Sequence, residues 1–174
     1  RLHLPFICSS PDIDESHRPG ETAVDLVKRL AEEKARALTD HHSAHLIIGS
    51  DQVAVLGDSI IGKPHTFEKA REQLLAASGA SVTFLTGLAL LNSQTGRCQV
   101  DCIPFTVHMR TLDSARIERY LRAEQPYDCA GSFKAEGLGV SLFQNTEGPD
   151  ATSLIGLPLI RLVDMLLTEG VQIP

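Results

Sequence analysis

The sequence predicts a mixed-sheet α/β or α+β domain, and three observations predict it. Stretches with the 3.6-residue apolar spacing of helices are interspersed with short β-branched runs. Two of those runs, SVTFLTGLALLNS and CQVDCIPFTVHMR, flank a Thr-Gly pair as the arms of a hairpin do. A hydrophobic content of 43% over 174 residues is enough for one sizeable core, without the composition of disordered, collagenous or fibrous chains. Hairpins among helices argue against a strictly alternating parallel sheet. With no internal repeat and no linker, one domain is expected.

Taken in order, the apolar start LHLPFI leads into SSPDIDESHRPGE, whose Ser, Pro, Asp and Glu content marks a loop. From Thr22 to about Leu38, Ala23, Val27, Leu30, Lys34 and Leu38 recur on one helix face, so Lys34 sits on the apolar stripe. LIIGSDQV, Leu46 to Val53, reads as a short strand covered on both faces, and LGDSIIGKPHT as a turn and return strand ending at Gly62, Lys63 and Pro64. Thr66 caps a helix over Phe67 to Ser78 that stops at Gly79; the hairpin arms follow. Leu112 to Glu124 reads as an amphipathic helix capped by Thr111 or Asp113, CAGSFKAEGLGVSLF as Gly-rich and mostly extended, and Leu157 to Leu167 as a closing helix with Pro158 in its first turn.

Charge and cysteine content narrow the function classes. A net charge of −6 argues against broad binding to nucleic acid, though a few cations in a cleft still suit a small anionic ligand. No apolar run reaches the roughly 18 residues of a membrane span, and no signal-peptide pattern opens the chain. Cys8, Cys98, Cys102 and Cys129 form no CxxC pair, which fits free thiols in a reducing cytoplasm. His41, His42 and His45 cluster at a helix end, where cations suit the dipole better than they suggest a metal site.

Four charged residues stand in contexts that should be buried or tightly turned: Glu15, Lys34, Asp51 and Lys63. Glu15 in DIDE also fits a solvated turn, Lys63 a hairpin end, and Lys34 a lysine snorkelling from the stripe's edge. Asp51 resists such readings. A carboxylate inside a buried strand costs several kcal/mol unless compensated, which makes it a candidate metal ligand or base. Two carboxylates and two amines together suggest a metal-assisted phosphate site, with carboxylates for Mg²⁺ and amines for phosphate oxygens. There is no Walker loop and no dinucleotide fingerprint.

PDIDES, LAEEKA, LIIGSDQV, IIGKP, VTFLTGLAL, PFTVHMR, CAGSFKAEG and LIGLPLIRL together resemble the Maf family of nucleoside triphosphate pyrophosphatases along nearly the whole chain, residues 1–174. The resemblance implies an α/β domain, a mixed twisted sheet flanked by helices with a deep active-site cleft. It also implies hydrolysis between the α and β phosphates with a divalent cation, Mg or Mn. Asp51 resembles the family's essential proton acceptor, and Glu15, Lys34 and Lys63 match active-site positions, with Asp51 and Glu15 as metal ligands. Gln52 and Glu136 stand where the thymidine and uridine triphosphate branch usually has Thr and Gln, so the chain resembles the branch acting on 7-methylguanosine triphosphate. A Glu136 carboxylate offers two acceptors to the N1–H and N2–H donors of guanine, and such matching discriminates by ~10⁴-fold or more. Glu136 also fits an exposed loop acid.

The family's opening strand and Ser-x-Ser-Pro-x-Arg phosphate loop are not in this sequence, which opens at RLHLPF, similar to the end of the following helix. The expected partner is a nucleotide in the cytoplasm, with no nucleic acid and no membrane, and a homodimer is compatible. A pyrimidine triphosphate pyrophosphatase and a catalytically idle regulator of septum formation are the alternatives.

Overall fold

The structure, a computed structural model, describes residues 1–173, so Pro174 at the end of the expected domain lies outside them. Its centre is one five-stranded sheet in the order β2-β1-β3-β4-β5. The strands are β1 (Leu46–Leu56), β2 (Ser59–Ile61), β3 (Ser81–Asn92), β4 (Cys98–Met109) and β5 (Phe143–Glu147). The helices are α1 (Ala23–Arg36), α2 (Phe67–Ala77), α3 (Ser114–Glu124) and α4 (Leu159–Thr168). The α/β architecture is the expected one, with a refinement in strand direction: every pairing is antiparallel. The short β2 turns the chain back, α2 then returns it to the other edge of β1, and β3 and β4 form the hairpin.

Local chemistry fixes the helix ends. The Thr22 hydroxyl accepts from Asp25 N at 3.1 Å and donates to the Asp25 carboxylate at 2.7 Å, closing the first turn of α1 from both sides. Thr66 accepts from Lys69 N at 3.3 Å, and of the two candidates for α3 it is Asp113 that caps, accepting from Arg116 N at 2.7 Å. The closing helix starts at Leu159, after Pro158. Its first amides donate to Thr152 Oγ1 and Asp150 Oδ2, both at 2.8 Å, so a preceding 3₁₀ turn, Ala151–Ile155, is stitched to it.

Three apolar clusters coat the sheet. On one face Phe84 and Phe105 cluster with Leu74 of α2 and Leu121 of α3, and further along Leu88 and Leu90 cluster with Leu162 and Met165 of α4. The other face carries Ile47, Ala89 and Leu91 under Ala31 and Ala35 of α1. Here glycine is required. A Cβ on Gly49 would lie 2.0 Å from the Ala31 carbonyl oxygen, and one on Gly87 2.0 Å from that of Val27. The helix backbone therefore rests directly on β1 and β3.

Three expectations are corrected. LIIGSDQV is not a short strand covered on both faces; β1 runs to Leu56, Ile48 is exposed and Ser50 to Val53 are half-buried, and Ile48, Ser50 and Gln52 point to the face opposite α1, where α4 packs over β3 rather than over β1. CAGSFKAEGLGVSLF is not mostly extended: it winds through 3₁₀ turns at Ala130–Ser132 and Leu138–Leu142 before β5 begins at Phe143. Gly131 and Ser132 both take positive φ there, which an extended run cannot contain. RLHLPF is not helical; residues 1–22 contain no helix or strand, and Leu2 and Leu4 lie against the α4 cluster.

Candidate active site

The register between α1 and β1 builds the site. Ala31 touches Gly49, and from that contact the chain steps three residues along the helix to Lys34 and two along the strand to Asp51. Side chains three apart on a helix and two apart on a strand stay on one face, so Lys34 and Asp51 are carried forward together. They meet: Lys34 Nζ donates to Asp51 Oδ1 at 2.8 Å. The 12–21 loop brings Glu15 to the same ammonium, with Oε1 also 2.8 Å from Nζ. Both carboxylate oxygens therefore lie within about 5.6 Å of one another.

The compensation that Asp51 demanded is thus an ammonium at contact distance. The Asp51 side chain is 13% exposed, that of Lys34 20% and that of Glu15 59%, so the cluster opens outward through Glu15. Burial pushes the Asp51 carboxyl above its ordinary range, against the opposing pull of Lys34. For Lys34, burial works against the charged form, but hydrogen bonds to Asp51 and Glu15 reverse it and the ammonium is held more firmly than usual. An amine that stays charged beside a carboxylate with raised proton affinity is suited to anion neutralisation and proton acceptance respectively.

Lys63 is exposed in the loop after β2, near enough that its charge favours ionised Asp51. Gln52 and Glu136 are placed differently. Gln52 points to the sheet face opposite Asp51, where Nε2 donates to Ser153 O at 2.7 Å and Thr86 Oγ1 at 2.8 Å. Glu136 is exposed in the 129–143 loop, its charge felt at Tyr120 and Cys129 and sharing no hydrogen bond with the Asp51 cluster. The structure therefore brings Glu15, Lys34 and Asp51 into contact, sets Lys63 beside them, and leaves Gln52 and Glu136 apart.

Two residues, Ser50 and Arg29, had no reading in the sequence. Ser50 and Gln52 flank Asp51 and both donate across the opposite face to the 151–155 turn region, Ser50 to Gly156 O at 2.7 Å. The alternation polar-Asp-polar in GSDQ was the available signal. Arg29 is the other: it pairs with Glu21 and Glu33. Only the i,i+4 spacing of Arg29 and Glu33 was visible in sequence.

Two carboxylates with hard oxygens near a phosphate-compatible lysine are a donor set that fits Mg²⁺ or Mn²⁺, which is commonly bound by one or two carboxylates with substrate phosphates and water completing the shell. Shallow pockets of about 310 and 280 Å³ lie elsewhere, the first between β4 and α4 at Asp101 and Arg161, the second beside α3 at Arg119. No helix among the described residues is long and apolar enough to cross a membrane.

Comparison with known proteins gives a consistent answer. The family model described as Maf-like protein matches residues 1–169. A relative from Pseudomonas fluorescens is 87% identical over the whole chain and 91% of its own length. One from Pseudomonas aeruginosa is 70% identical over the same shares, and one from Alcanivorax borkumensis is 59% identical over the whole chain and 88% of its own length. Each of the three is named 7-methyl-GTP pyrophosphatase. From Arg1 to Glu169, through the segments that hold Glu15, Lys34 and Asp51 together, this chain belongs to the Maf-like protein family.

Proposed function

We propose that this protein hydrolyses 7-methylguanosine triphosphate between the α and β phosphates, releasing the monophosphate and pyrophosphate. The observation that carries the reaction is the meeting of Glu15 and Asp51 on Lys34 Nζ, each at 2.8 Å. The names of relatives at 70–87% identity support the substrate.

Asp51 accepts the proton of the attacking water as its oxygen bonds to phosphorus and the anhydride P–O bond breaks, the electron pair leaving with pyrophosphate. Its rigid seat on β1 and its raised proton affinity suit that role. Lys34, held charged, and Lys63 neutralise phosphate oxygens where negative charge gathers. Asp51 and Glu15 would hold the divalent cation, which when bound supplies charge neutralisation and lowers the pKa of water. Glu136 reads the guanine N1–H and N2–H donors from the exposed loop. Gln52 supports specificity from behind, by fixing the 151–155 turn against β1 rather than by facing Asp51. Such a substrate makes the cytoplasm the working compartment.

The test is pyrophosphate release from 7-methylguanosine, guanosine, thymidine and uridine triphosphates with Mg²⁺ or Mn²⁺. Preference for the methylated guanine nucleotide, lost with the metal and in Asp51→Asn, is the expected result. Equal or better turnover of thymidine or uridine triphosphate overturns the substrate, and release from none overturns the enzyme.

A further inference from the structure

Glu15 sits in a segment without helix or strand, yet its carboxylate reaches Lys34 at contact distance, so something outside the loop must set its reach. One side chain from α1 does so. Arg29 Nη2 donates to the carbonyl of Ser16, the residue next to Glu15, at 3.0 Å. The same guanidinium takes both oxygens of Glu21, Nε to Oε1 at 2.6 Å and Nη2 to Oε2 at 2.9 Å, and Nη1 reaches Glu33 Oε2 at 2.9 Å. Both ends of the 16–21 stretch are therefore tied to a single planar group on the helix that also carries Lys34. The second oxygen of Glu33 takes Arg18 Nη2 at 2.9 Å, adding a further tie in the middle.

This network is better sheltered than an ordinary surface pair, with the Arg29 and Glu21 side chains 12% and 9% exposed. The hydrogen bonds from Arg29 hold the Glu21 carboxyl at about 2, well below its ordinary range. A bidentate fork of this kind fixes direction as well as distance, which a point-charge lysine cannot do.

We infer that Arg29 is a positioning residue for the reaction: by clamping Ser16 and Glu21 to α1 it sets the Glu15 carboxylate at the Lys34–Asp51 pair. Arg29 touches no reacting atom. The inference rests on the proposed role of Glu15, and it makes the 12–21 loop a part of the site whose geometry is borrowed from α1. In its absence the Lys34–Asp51 contact, which is built between α1 and β1, remains.

The experiment is a cycle of Arg29→Met, Glu15→Gln and the double variant in the full chain, with kcat and KM for 7-methylguanosine triphosphate and amide hydrogen exchange across 12–21. Arg29→Met is expected to lower kcat about tenfold or more, the cost of a misplaced group, with KM changed less than about twofold. Exchange across 12–21 rises. In the Glu15→Gln background the same substitution is expected to change kcat by less than about twofold, since its route of action is already gone. Arg29→Lys recovers part of the loss. A loss in Arg29→Met that multiplies in full onto Glu15→Gln overturns the inference, as does unchanged exchange across 12–21 or complete recovery by Lys. Failure of the underlying reading shows separately, as full activity in Glu15→Gln or none in the parent protein.

Discussion

Gly49→Ala tests whether the backbone contact between α1 and β1 is what brings the reactive pair together. The new methyl would lie 2.0 Å from the Ala31 carbonyl oxygen and 2.9 Å from Ala35 N, both rigid backbone atoms, whereas ordinary contact begins at about 3.4 Å. The helix must then retreat by roughly 1.4 Å, since densely packed interiors have no slack to absorb it. Such a shift takes the 2.8 Å Lys34–Asp51 contact to about 4 Å, beyond hydrogen-bond reach. Overpacking of this kind costs ~3 kcal/mol at the upper end of its range, which for a chain of this size lowers Tm by about 6–12 °C. Misplacement by about 1 Å also costs ~10²-fold in kcat. Differential scanning calorimetry and steady-state release of pyrophosphate measure the two effects, with Gly62→Ala as stability control, since a Cβ there meets nothing within 4 Å. A Gly49→Ala protein with the parent's Tm and kcat would refute the claim that this close approach sets the site.

The Asp51 carboxyl is pushed up by burial, so the acid limb of kcat/KM is expected above the ordinary 3.8, activity rising as Asp51 loses its proton; a limb at or below that value contradicts the assignment. Lys34→Met removes the group that pulls Asp51 down, and NMR titration of the Asp51 carboxyl should then show a still higher value, with activity down ~10²-fold or more. Glu21 is ionised in the fold down to about pH 2 but only to about 4.5 when unfolded. Its pairing therefore adds stability above 4.5 that disappears as pH falls through 2, and Glu21→Gln should flatten that part of a Tm-against-pH curve. Gln52→Leu deprives Ser153 O of one donor and is expected to cost about 1–2 kcal/mol and to weaken the base preference as the 151–155 turn loosens, measured by urea unfolding and by the ratio of nucleotide turnovers.

Much of the site was legible because it depends on local spacing. Lys34 on the apolar stripe of a helix and Asp51 within a strand each break the expected pattern, and a pattern broken by charge points to function. The partners of that pair were not legible in the same way. Glu15 comes from a loop, and nothing in PDIDES says where its carboxylate ends up; Arg29, thirteen residues beyond Ser16, decides that. Gln52 shows the limit from the other side. The resemblance made it a specificity position beside Asp51, but a strand sends neighbouring side chains to opposite faces, and its amide is spent on Ser153 and Thr86.

By itself, the sequence determined the helices, the hairpin and the two charged residues at the heart of the site, since 3.6- and 2-residue periodicities, caps and glycines act over a few residues. The tertiary structure alone decided that all strands run antiparallel, that 129–143 coils rather than extends, and which carboxylates meet Lys34. Those outcomes depend on contacts between segments distant in sequence, such as Gly87 against Val27 and Glu15 against Lys34. No periodicity within either partner encodes such contacts, because they are fixed only when whole faces pack.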